Sequence, residues 1–345
     1  MAVITIIGSG MMGSAMAFPA RENGHEVRLV GSPLDHEIID VCKKTNRHIK
    51  FDHDFPEGVK FYYIEDVKEA IEGADAIVCG VSSFGVDWFG ENMLPIIPDD
   101  VPILSITKGL INTEDGRLIT YPEYWKRFTE TKKCINAVGG PCISFDLTWH
   151  DHTVVSFCGE DMEVLARLRE YFSTDYYHIS ITKDVVGVES AVALKNGYAL
   201  GVALTVGLQD RRTNGDTKMR YNCQAAVFGQ ALRELTKILD FQGANTLDNQ
   251  VVFTGDLYVT VYGGCTRQVG ILLGKGLDID EAKAELKGVT LESLVIIERV
   301  ARAVKYNAEK GNLDPKDFPL LLHIYDIIID KKPVDLPWND FTYED

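Results

Sequence analysis

Val3-Ile4-Thr5-Ile6-Ile7-Gly8-Ser9-Gly10-Met11-Met12-Gly13-Ser14-Ala15 lies almost at the start of the chain and decides how the rest is read. Five β-branched residues in a row predict a buried strand, and three glycines spaced G-x-G-x-x-G follow it directly and lead into a helix. In that context each glycine has its own physical task. Gly8 permits the tight turn, Gly10 presents no Cβ to an approaching pyrophosphate, and Gly13 lets the helix pack close to the strand. The free N–H groups at the start of the helix then favour an anion. The stretch therefore predicts a dinucleotide cofactor, NAD or NADP, held by Gly8, Ser9, Gly10, Met11, Met12 and Gly13.

Working outward, the second strand, Glu26–Val30, should end in an acidic residue for the adenosine ribose, near position 31. The sequence there is Val30-Gly31-Ser32-Pro33. Ser32 is the remaining candidate and could face a 2′-phosphate. No Arg occupies positions 31 to 33, and Arg28 lies mid-strand, so the choice between NAD and NADP stays open. Further on, Ser82 and Ser83 follow the buried run Ile77–Val81, which points Ser83 toward the nicotinamide half of the cofactor or leaves it in a plain strand-end turn.

Strand-like runs recur at Lys60–Ile64, Ala74–Val81, Ile103–Ile106, Cys134–Val138, Thr153–Phe157 and Tyr177–Ile181, with helical stretches between several of them. Asp66 with Glu69 resembles a capping box for one such helix. This rhythm predicts an α/β class: a doubly wound, Rossmann-type, mostly parallel sheet in residues 1–182. Beyond it the pattern turns helical, at Val185–Leu208, Tyr221–Leu239, Asp280–Leu286, Leu291–Asn307 and Phe318–Ile329, predicting an all-helical C-terminal domain over 183–345.

Composition excludes several classes. A net charge of -16 over 345 residues argues against nucleic acid, since phosphate binding needs clustered Lys and Arg. Seven scattered cysteines form no C-x-x-C pair, and His, Cys and carboxylates show no metal-ligand spacing, so no metal is expected and a reducing, cytoplasmic location is. Ala191–Leu208 is apolar enough to suggest a membrane span, but Lys195 and Asn196 inside it favour a buried core helix, so no membrane insertion is expected.

Four further segments, taken with the fingerprint and in this order, resemble the NAD(P)-dependent glycerol-3-phosphate dehydrogenase family. They are Ser105-Ile106-Thr107-Lys108-Gly109-Leu110, Gly139-Gly140-Pro141, Gly187-Val188-Glu189-Ser190 through Leu194-Lys195-Asn196, and Gly255-Asp256-Leu257 with Thr260 and Tyr262-Gly263-Gly264. The resemblance implies a dehydrogenase acting on glycerol 3-phosphate and dihydroxyacetone phosphate. It puts the catalytic acid or base on Lys195 with Asn196 beside it, and gives Lys108 and Asp256 the task of holding the ammonium and the substrate oxygens. Thr260 adds a hydroxyl. The chemistry is coherent, because hydride transfer to a carbonyl carbon requires a proton on its oxygen and a desolvated Lys can supply one. The expected partner is a small phosphorylated substrate, with a homodimer as an option for assembly.

The chain departs from the family where Tyr-Gly-Gly should be followed by Arg-Asn; it has Cys265-Thr266 and only then Arg267. A basic insertion, Gln209 to Arg220 with Arg211, Arg212, Lys218 and Arg220, is a second departure. Either Arg267 or these cations could replace the missing phosphate ligand, or the insertion is a solvated loop. Two alternatives stand beside the main reading. One is a 3-hydroxyacid or ketopantoate-type dehydrogenase, which spaces its Lys and Asn as K-x-x-N. The other is a redox sensor that binds the dinucleotide without turnover.

Overall fold

A computed structural model describes residues 1–130, 132–213, 218, 220–286 and 291–342. It divides into two compact units, one of Met1–Lys108 with Thr120–Glu189 and the other of Gly109–Ile119 with Ser190–Asp345.

The strands of the chain are β1 (Val3–Ile7), β2 (Glu26–Val30), β3 (Lys60–Tyr62), β4 (Ala76–Cys79), β5 (Ile103–Ser105), β6 (Leu110–Asn112), β7 (Leu118–Thr120), β8 (Ile135–Gly139), β9 (Thr153–Cys158) and β10 (Tyr177–Thr182). Eight of them build the sheet of the first unit, in the order β10-β9-β8-β5-β4-β1-β2-β3. Every pair is parallel except β8 with β9. Ile4, Ile6, Val27, Leu29, Val78 and Leu104 are fully buried, as befits strands covered on both faces. The chain winds outward in both directions from β1, which places the strand-order reversal between β1 and β4, where doubly wound sheets bind ligands.

Local chemistry adjusts several expected boundaries. The strand expected at Lys60–Ile64 stops at Tyr62, because Ile64–Asp66 turns into a 3-10 helix. Asp66 precedes the helix Val67–Ile71 without a side-chain cap, so the capping box expected there does not form. One forms instead at Asp278, whose carboxylate accepts from the Asp280 and Glu281 N–H groups while Glu281 accepts from the Asp278 N–H.

The second unit packs helices Val185–Thr213, Asn222–Gln242, Thr246–Val261, Gly264–Lys275, Ile279–Glu285, Glu292–Glu309 and Pro319–Ile329 around a core that includes Leu200, Leu204, Leu235, Phe253, Val300 and Ile324. The helices Thr246–Val261 and Gly264–Lys275 were not foreseen. Nor is the unit all helix: β6 and β7 form a two-stranded sheet inside it, tied down where Arg299 donates to the Leu110 carbonyl at 2.8 Å and Asn307 to that of Gly116 at 2.8 Å. The division expected at 182/183 falls slightly before the observed one, since a single helix runs from Val185 through the boundary to Thr213. This helix is long and apolar enough to cross a bilayer, yet 83% of its apolar window is buried within protein. It passes the Gly264–Lys275 helix at backbone contact, where a Cβ on Gly207 would lie 2.1 Å from the Ile271 oxygen and one on Gly270 2.6 Å from that of Leu200.

Candidate active site

In the first unit the glycine turn has the geometry that its spacing implies. Gly8 takes φ +109° and lies so close to β4 that a Cβ would meet the Gly80 carbonyl carbon at 2.6 Å. A Cβ on Gly13 would stand 2.1 Å from the Gly8 oxygen, which is how near the helix comes to the strand end. Around Gly10, by contrast, a Cβ would meet nothing within 4 Å, and the residue caps Met11–Ala15 with no side chain over the helix start. An anion can therefore approach these N–H groups, and the loop fits a dinucleotide pyrophosphate. Met11 and Met12 are half-buried and pack on the sheet core.

Ser9 is buried, its carbonyl accepting from Ser14 Oγ and facing His48 Nε2, both at 3.1 Å. Its N–H donates to Asp35 Oδ2 at 3.2 Å, and the same oxygen accepts from the Ser32 N–H at 2.8 Å. Asp35 thus brings a carboxylate back to the end of β2, where the sequence has none at position 31. It went unnoticed because it arrives from four residues downstream, through a turn in which its own N–H donates to the Ser32 carbonyl. Ser32 Oγ accepts from the Leu34 N–H at 3.3 Å. Arg28 is committed elsewhere, to Glu26 and to the carbonyls of Ala70 and Glu72. Ser83 begins a 3-10 turn, Ser83–Gly85, just after β4.

Lys108 follows β5 and donates to the Gly140 carbonyl at 3.1 Å. Near it lies Glu189, a second residue that the sequence reading did not single out as functional. Its side chain is fully buried and accepts no hydrogen bond among the described residues. Burial pushes its pKa up to about 8, with the positive charge of Lys108 acting the other way.

In the second unit, Lys195 Nζ donates to Asp256 Oδ1 at 2.5 Å, joining the Val185–Thr213 and Thr246–Val261 helices. The carboxylate is fully buried and the Lys side chain is 13% exposed, so the ammonium is held at the edge of solvent. Thr260 Oγ1 donates to the Asp256 carbonyl one turn back, at 2.7 Å. Asn196 is half-buried, with no side-chain hydrogen bond among the described residues. Arg267 Nη1 donates to the Val261 carbonyl at 2.5 Å. Arg267 lies one turn before Gly270 on the same helix, and Gly270 and Gly274 press on Leu200 to Gly207 of the long helix. Cys265 is a half-buried free thiol.

The basic insertion does not join this cluster. Its first residues extend the long helix to Thr213, so Arg211 lies sixteen residues beyond Lys195, about 24 Å along the axis at 1.5 Å per residue. Those cations therefore do not replace a phosphate ligand beside Lys195. Within the insertion, 214–217 and 219 lie outside the described residues.

Two family models cover almost the whole chain: the N-terminal domain of NAD-dependent glycerol-3-phosphate dehydrogenase matches residues 3–165, and its C-terminal domain matches 184–338. The chain belongs to the NAD-dependent glycerol-3-phosphate dehydrogenase family. Among its relatives, an NADP(+)-dependent glycerol-3-phosphate dehydrogenase of Archaeoglobus fulgidus is 32% identical over 321 residues, covering 90% of this chain and 93% of the relative. The glycerol-3-phosphate dehydrogenase of Coxiella burnetii shares the fold, with a TM-score of 0.79 at 23% identity over 99% of this chain and 97% of that one. A ketopantoate reductase from Ralstonia eutropha is a more distant neighbour, at TM-score 0.57 and 15% identity over 94% of this chain and 97% of that one. The family membership and the adjacent Lys195-Asn196 pair favour the glycerol-3-phosphate assignment over the ketopantoate type.

Proposed function

We propose that this chain interconverts dihydroxyacetone phosphate and glycerol 3-phosphate, with Lys195 as the group that moves the proton. The observation that carries this reading is the Lys195–Asp256 pair, a buried carboxylate fixing an ammonium at the edge of solvent. When bound, the dinucleotide supplies a hydride from its nicotinamide ring, or accepts one in reverse. Gly8, Ser9, Gly10, Met11, Met12 and Gly13 hold its pyrophosphate, and Asp35 with Ser32 faces the adenosine ribose. Ser83 lies toward the nicotinamide.

As the substrate carbonyl carbon gains the hydride, negative charge collects on its oxygen. Lys195 Nζ donates a proton there, and Asp256 keeps the ammonium in position before and during the transfer. In the oxidative direction Lys195, once neutral, takes the hydroxyl proton back. The Asn196 amide orients the same oxygen, Thr260 and Lys108 hold the substrate hydroxyl and phosphate groups, and Arg267 replaces the phosphate-binding Arg that Cys265 lacks. A thiol cannot make the paired, charge-assisted bonds of a guanidinium. A sensor without turnover has no use for a fixed proton donor, which supports an enzyme. Seven free cysteines support a reducing, cytoplasmic setting.

Steady-state oxidation of NADH and NADPH with dihydroxyacetone phosphate tests the assignment of Arg267. Losing a charged hydrogen bond to phosphate costs about 1.5–3 kcal/mol, so Arg267→Ala is expected to raise KM about tenfold or more. An unchanged KM in Arg267→Ala places the phosphate on other residues.

A further inference from the structure

At the far end of the Val185–Thr213 helix, a pocket of about 660 Å³ opens between that helix and the segment Val334 to Trp338. That volume suits a small organic ligand. Three of its lining residues are arginines, Arg211, Arg212 and Arg220, in a chain of net charge -16. Asp210, the nearest acid on the same helix, is engaged by Lys275 at 3.2 Å. Arg211 and Arg212 make no hydrogen bond or ion pair among the described residues.

Arg211 and Arg212 project from the last turn of the helix, and the backbone at Arg220 is tied to it. The Gln209 amide donates to the Lys218 carbonyl at 2.7 Å and accepts from the Arg220 N–H at 3.3 Å, which clasps the chain entering Arg220 against the helix. The opposite wall carries buried Val334 and Leu336, with exposed Asp335 between them and Trp338 standing 40% exposed at the rim. Cations on one side and an indole with aliphatic side chains on the other select a ligand with an anionic head and a flat, apolar body.

We propose that this pocket is a second ligand site, distinct from the cofactor and substrate sites, that takes a phosphate ester carrying an aromatic group, as in a nucleoside phosphate. It does not depend on the role given to Lys195, because about 24 Å of helix separates the two.

The test uses the full chain carrying Gly10→Val, which fills the approach to the dinucleotide loop at a position with open space around it. Calorimetric titration with ADP is expected to show one site, weakened tenfold or more in a protein that also carries Arg211→Gln and Arg212→Gln, and weakened again by Trp338→Ala. Inorganic phosphate should bind at least tenfold more weakly than ADP. A chain with Arg211→Gln and Arg212→Gln but with Gly10 intact should keep its NAD(P)H affinity and its unfolding temperature, which separates loss of the site from loss of fold. The proposal is overturned if ADP does not bind the Gly10→Val protein, if the arginine substitutions leave its affinity unchanged, or if phosphate alone binds as tightly as ADP.

Discussion

Two fully buried glutamates occupy opposite circumstances. Glu234, in the helical unit, accepts from Tyr198 Oη at 3.1 Å, Gln230 at 2.9 Å, and the N–H groups of Leu320 and Leu321 at 2.7 and 2.9 Å. It closes the start of the Pro319–Ile329 helix from inside the core, and burial moves its pKa up to about 7 against the pull of those donors. Glu189, in the dinucleotide unit, is equally buried, accepts no hydrogen bond among the described residues and is pushed up to about 8, with Lys108 as its nearby charge. A saturated carboxyl is a structural joint. Glu189 has no such donors among the described residues and has the charge of Lys108 nearby, so its ionisation acts on that lysine and not on a helix start.

The contrast can be broken first at Glu234. Glu234→Ala strands two helix-start N–H groups and a buried phenol, and unfolding is expected to become easier by about 3 kcal/mol or more, with turnover of the folded fraction intact. Denaturant titration beside activity measures both. If activity falls while stability holds, the joint is not structural.

A smaller effect belongs to Glu189. Its folded pKa lies above the usual carboxylate value, so the native state binds the extra proton between about 4.5 and 8, and stability falls as pH rises through that window. Glu189→Gln carries no titrating proton and is expected to flatten the fall of unfolding temperature between pH 5 and 9. It should also change the pH dependence of substrate KM above pH 7, because an ionised Glu189 draws on the Lys108 charge. Identical profiles for the two proteins would assign Glu189 to inert packing.

Asp35 lies between the two cases, half-buried and fixed by two backbone donors. With Asp35 at the adenosine ribose, as proposed, Asp35→Asn removes charge there, and the ratio of NADPH to NADH affinity is expected to rise several-fold, since a 2′-phosphate no longer meets a carboxylate. Fluorescence titration with both cofactors reads this ratio. No change in it would put Asp35 outside the ribose site.

The dinucleotide unit was legible because its signals are local: β-branched runs bounded by glycine, and one loop whose glycines sit at fixed offsets. All eight strands of its sheet fell within or beside the runs read from the sequence. The helical unit hid more. Thr246–Val261 exposes Leu247, Val251 and Tyr258 while burying Asn249 and Asp256, so it has no clean apolar stripe to read. The β6 and β7 strands have three residues each, too short for a period. Lys195, Asp256, Thr260 and Arg267 emerged from family resemblance, whereas Asp35 and Glu189 depend on turns and burial that no spacing rule encodes. The sequence left the basic insertion open between a phosphate ligand and a solvated loop, because nothing in its residues shows that the helix continues to Thr213.

The most direct measurement compares wild type with Lys195→Ala in dihydroxyacetone phosphate-dependent oxidation of NADH and NADPH, with cofactor affinity titrated on the same samples. Removing the lysine takes its ammonium partner from the buried Asp256, which costs stability of about 3 kcal/mol, so the assay is run where both proteins are folded. The expected result is efficient wild-type turnover, loss of about a thousandfold or more in Lys195→Ala, and little change in cofactor affinity. A wild type inactive on dihydroxyacetone phosphate, or a Lys195→Ala protein that turns over at the wild-type rate, would contradict it.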